Sequence, residues 1–104
     1  MSPEVSDSTL DHLRFDFEDS FKAIERIKES DPATASLLIH KKVSSLIDLY
    51  FDLKRIWRPA PKQQLEQIQV QDAELGEMFR DFYMAENLDH QLVITKKIGA
   101  EILG

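Results

Sequence analysis

Five residues fall at 4-3-4-3 spacing along one stretch of the chain: Lys41, Ser45, Asp48, Asp52 and Arg55. On a helix that spacing lines them up in one narrow polar stripe. Two carboxylates one turn apart can hold an ammonium-rich ligand, or one can act as a general base where its surroundings raise its pKa. The plainer reading is a solvated face, with Arg55 offsetting part of the repulsion between Asp48 and Asp52. Just beyond the stripe, "IWRPAPK" adds Trp57, Arg58 and Lys62. Asp48, Asp52, Arg55, Trp57, Arg58 and Lys62 together are the candidate binding set.

Other chemistry finds little support. The three histidines, His12, His40 and His90, are far apart, with no His pair at i, i+4 and no H-E-x-x-H, so no metal site is expected. There is no cysteine, hence no disulfide and no thiolate ligand or nucleophile. No Gly-rich phosphate loop, G-x-S-x-G elbow or dinucleotide fingerprint occurs, and Ser44 and Ser45 have no histidine at a suggestive position. The expectation is a chain without a catalytic set and without a cofactor.

The elements that must position these residues read as helices. Alternating strand patterns are missing and glycines number only three. A first helix is expected over about residues 8–30, capped by Asp7 or Ser8, with Leu10, Leu13, Phe17, Ser20, Ile24 and Ile27 on one face and Phe21 widening it. Phe15 falls on its polar side, either as a contact for another chain or as an isolated exposed aromatic.

"SDPAT" then stops and restarts the chain, Asp31 capping and Pro32 occupying the first helical position. The second helix is expected over about 32–57. Ile39, Val43, Leu46, Tyr50, Leu53 and Trp57 follow 4-3-4-3-4 spacing, flanked by Leu38, Leu49 and Ile56 on one side and Ile47 and Phe51 on the other. So wide an apolar arc marks a central helix packed on at least two sides. Trp57 therefore has two expected places, closing the arc and bordering the binding set.

"RPAP" ends that helix, leaving Arg58 and Ala60 extended before prolines. Pro61 opens a short third helix with Leu65, Ile68 and Val70 as candidates for burial. Asp72 caps a fourth, with Leu75, Met78, Phe79, Phe82 and Tyr83 inward and Met84 also read as core. Asn87 or Asp89 begins a fifth, carrying Leu92, Ile94, Ile98 and Ile102. Gly99 inside it marks a close helix crossing or ordinary tolerance. The fold class is all-α, an antiparallel bundle of four to five helices in one domain over 1–104, with a flexible stretch at 1–7.

Composition fits that reading. Hydrophobic residues make up 42 % and charged residues 31 %, the balance of a soluble globular domain rather than a disordered one. The acidic N-terminal stretch lacks an apolar signal core, and no run is long enough to span a membrane, so a cytoplasmic place is expected. Net charge is −6, yet residues 32–62 carry six bases against two acids, while the segments on either side are acidic. The overall sign speaks against direct nucleic-acid binding, and the basic middle suits a phosphate or an acidic partner.

From "DPATASLLIHKKVSSLIDLYFDLK" through Trp57-Arg58-Pro59, Pro61-Lys62, Leu65 and Asp72-Ala73-Glu74-Leu75, the chain resembles the helical, substrate-binding type of domain that accompanies nucleotidyltransferase-fold proteins, the aminoglycoside-nucleotidyltransferase-like group in particular. The resemblance covers half to two-thirds of the chain. It implies a bundle that shapes a substrate pocket or mediates pairing beside a nucleotidyltransferase partner. That partner's catalytic signature, a Gly-Ser turn followed by a magnesium-holding Asp-x-Asp, is missing here. Asp16-Phe17-Glu18 has no preceding Gly-Ser. Related bundles that cleave RNA carry Arg-x4–6-His, and neither Arg80 to His90 nor Arg26 to His40 has that spacing. Three functions follow as expectations: a non-catalytic interaction or substrate-binding module serving such a partner, a self-associating homodimeric scaffold, and a small enzyme built on Asp48 and Asp52.

Overall fold

Asp31 starts the longest helix as the sequence rules require. Its carboxylate accepts the Thr34 backbone N–H at 3.1 Å and the Thr34 hydroxyl at 2.6 Å, and Pro32 follows at the first turn. These two bonds hold the Asp31 carboxyl below the usual carboxylate range. The computed structural model describes residues 7–103, with side chains from residue 11 onward, and contains five helices: α1 (Asp7–Ile27), α2 (Pro32–Lys54), α3 (Pro61–Gln71), α4 (Ala73–Met84) and α5 (Leu88–Leu103). No strand occurs among the described residues. Asp7 and Ser8, the expected caps, are both already inside α1, so neither holds the cap position; residues 1–6 of the flexible stretch and the Leu10 side chain lie outside the described residues.

The core is built chiefly around α2. Ala35, Ile39, Val43, Leu46, Ile47, Tyr50 and Phe51 are all buried on it, joined by Phe21 and Ile24 of α1, Ile68 of α3, Leu75, Phe79 and Phe82 of α4, and Leu92, Ile94 and Ile98 of α5. α2 packs on α1 and α5, as its wide arc requires. α5 is equally central, touching α1, α2 and α4. Gly99 explains how α5 comes so near to α1: a Cβ there would stand 2.5 Å from Cζ of Phe17. The close-crossing reading of that glycine is the one the structure supports.

Five side chains depart from expectation. Trp57 is not in the apolar arc but almost wholly in water. Leu38, on the flank of that arc, and Val70, Tyr83 and Met84 are exposed as well. α3 packs mainly on α4, and α4 on α3 and α5, so short helices at the edge of the bundle have fewer neighbours than apolar residues.

The Trp57 difference has a local cause. α2 stops at Lys54, three residues earlier than its periodicity suggests, because Arg55 takes a left-handed conformation (φ 57°, ψ 40°). The Arg55 N–H bonds to the Asp52 carbonyl and the Ile56 N–H to the Phe51 carbonyl, both at 3.2 Å. That pair of bonds is a Schellman turn, and it brings Ile56 against the core. Ile56 thus takes the apolar place that Trp57 would have had on a continuing helix.

Candidate functional site

The connector between α2 and α3, residues 55–60, brings the candidate set together. Arg58 folds back over the end of α2, its Nη2 donating to both Asp52 carboxylate oxygens at 3.1 and 3.3 Å. Its Nη1 lies 3.6 Å from Oδ1 of Asp48. All three side chains remain about half exposed, so the cluster is screened by water and holds position more than it stabilises. The hydrogen bond to Asp52, followed by the charges of Asp52 and Asp48, raises the Arg58 pKa further above its ordinary value.

The stripe therefore faces its own cation. Asp48 and Asp52 meet a guanidinium, and neither lines either of the two principal surface grooves. Lys62 sits exposed in the first turn of α3, and Arg55 is exposed at the left-handed turn.

Other bonds fix the connector. Ala60 has the extended geometry expected before proline (φ −56°, ψ 149°), its carbonyl accepts the Gln63 N–H at 2.8 Å, and Gln64 Nε2 donates to the Pro59 carbonyl at 3.1 Å. A Schellman turn on one side, the Arg58 clamp in the middle and the Gln64 bond on the other thus bracket Trp57. Its indole is 96 % exposed. Lys54, Arg55, Arg58 and Lys62 lie within five positions of it, against Asp48 and Asp52.

Comparison with known proteins finds no matching family model, no matching curated protein and no matching solved structure. The resemblance to nucleotidyltransferase-associated helical domains thus rests on the residues quoted for it.

Two features escaped the sequence reading. Between α1 and α5, Phe17 and Phe21 floor a groove bordered by Lys96, which pairs with Glu25 at 3.0 Å and lies 5.2 Å from the Phe21 ring centroid. A second groove, between α4 and α5, has methionines in its floor. Helical periodicity flags Met78 and Met84 as apolar but cannot say that α5 leaves a gap beside them. No helix among the described residues is long and apolar enough to cross a membrane.

Proposed function

We propose that this chain is a non-catalytic helical interaction module that docks on a partner protein through the α2–α3 connector, with Trp57 as its anchor. The observation that carries the reading is a 96 % exposed tryptophan on a segment pinned at both ends. Tryptophan is the side chain most enriched among residues that dominate binding energy. Its large apolar area gains most when removed from water, and a connector already fixed by hydrogen bonds loses little further freedom on binding. Arg58 is set against the two carboxylates, and Lys54 and Lys62 add two further bases to the rim. That rim suits an acidic partner surface with an apolar pocket. The resemblance supports a nucleotidyltransferase-fold chain as that partner, which would supply the Gly-Ser and Asp-x-Asp chemistry missing here.

The test is capture from native host lysate by the tagged wild-type chain and by Trp57→Ser in parallel. Recovery of a nucleotidyltransferase-fold protein by the wild type, lost with the variant, is expected. Equal recovery by both would remove the connector from the interface.

A second reading, a self-associating scaffold, is favoured by Phe15, which is 67 % exposed on the polar side of α1. It predicts a concentration-dependent mass in sedimentation that Phe15→Ser abolishes.

A further inference from the structure

The groove between α4 and α5 has a volume of about 690 Å³. Met78, Met84 and Ile94 supply its apolar surface, and Met84 is 79 % exposed. Glu74, Glu77 and Asp81 rise from α4 along one side, spaced three and four apart on a single face, and Glu86 continues the rim. His90 and Lys97 stand on the α5 side.

Four carboxylates line the groove against one lysine, Lys97, and His90. Glu25 pairs with Lys96, Asp89 with Lys28, Asp11 with Arg14, and Asp48 and Asp52 with Arg58. None of Glu74, Glu77, Asp81 and Glu86 has a cation within 4.0 Å among the described residues. The one base on α4, Arg80, is turned toward α3, where its Nε donates to Gln69 Oε1 at 2.8 Å. Three like charges on one helical face repel one another, an arrangement that a cationic occupant would reverse.

An acidic rim and an apolar floor in the same groove select a basic amphipathic occupant. α4 has twelve residues and is about 18 Å long, room for about three turns of a second helix. Flexible, polarizable methionines suit the varied apolar side chains such a helix presents. We propose that the α4–α5 groove binds a basic amphipathic helix of a partner protein, its apolar side chains on Met78 and Met84 and its Lys or Arg residues on Glu74, Glu77 and Asp81. This is separate from the connector, and neither reading depends on the other.

The experiment is fluorescence anisotropy with a labelled peptide of about three to four turns, Leu on one face and Lys on the other. A scrambled peptide of the same composition serves as its control. The amphipathic peptide should bind, and increasingly weakly as salt is raised. Glu77→Gln/Asp81→Asn should weaken it roughly three- to tenfold, and Met84→Ser should also weaken it. Asp19→Asn/Glu66→Gln, which removes the same charge from exposed positions elsewhere, should change it little. Equal binding of the scrambled peptide, or an equal loss from both double variants, would reduce the effect to net charge and overturn the proposal.

Discussion

Between Ile39 and Phe51 the 3.6-residue period selects Ile39, Val43, Leu46 and Tyr50, and all are buried. Two turns further on, the same period selects Trp57, and it lies in water. Both stretches are apolar to the eye and adjacent in sequence. Periodicity names a buried face only for as long as the helix lasts. The Schellman turn at Arg55 moves the apolar phase by one residue, so that Ile56 goes in and Trp57 goes out. One stretch of the chain is therefore spent on the core and the next is held out in water.

Leu46→Ala tests the buried side of that contrast most severely. The side chain is fully enclosed, so truncation should cost about 2–5 kcal/mol in denaturant unfolding, through lost apolar contact and the cavity left behind. Asp48→Ala, two residues away on the half-exposed stripe, should cost about 0.5 kcal/mol or less. Comparable losses from the two would mean that the stripe is not a surface and would break the comparison at its buried end.

Tyr50→Phe sharpens it with a smaller effect. Tyr50 is only 3 % exposed, and its hydroxyl has no hydrogen-bond partner. Removing a buried hydroxyl that satisfies nothing should leave stability unchanged or raise it by about 1 kcal/mol at most. Burial, with the nearby Asp72 carboxylate second, pushes the Tyr50 pKa above its ordinary value of 10.0. The folded state therefore resists ionisation that the unfolded chain accepts. This contribution is fully present below about pH 10 and is lost as pH rises through the folded pKa. The variant should lose less stability than the wild type on alkaline titration, read by unfolding midpoints above pH 10. A steeper alkaline loss in the variant would mean that a donor or cation favours the ionised hydroxyl in the folded state.

Much of the architecture was legible because its signals are local. Asp31 with Pro32, Pro61, and Asp72, whose carboxylate accepts the Leu75 N–H at 3.1 Å, all start helices where their chemistry says they should. The stop after Lys54 was not legible. Left-handed helix ends are usually marked by glycine or asparagine, and this one carries arginine. The Arg58 clamp was hidden for the same reason. Its six-residue separation from Asp52 matches no helical contact, and the two meet only because the helix has already ended. The α4–α5 groove was beyond reach because it depends on which helices become neighbours. Glu74, Glu77 and Asp81 look like any solvated helix face until Arg80 is seen to turn away from them.

Trp57→Ser is the smallest perturbation of the fold and tests the exposed side. Its indole touches little, so stability should change by about 0.5 kcal/mol or less. Trp57 is the only tryptophan in the chain, which makes intrinsic fluorescence a direct report on this position. An indole already surrounded by water should emit at nearly the same wavelength before and after denaturation, and a soluble quencher should reach it about as readily in both states. A blue-shifted native emission that moves red on unfolding would place the indole in an apolar setting in the free chain. The helix would then run on past Lys54 as its periodicity suggests, and Trp57 would belong to the core. If instead emission is water-like in the free chain and shifts to the blue only when a partner is added, one side chain would separate folding from docking. Leu46 would be needed for the first and dispensable for direct contact, and Trp57 the reverse.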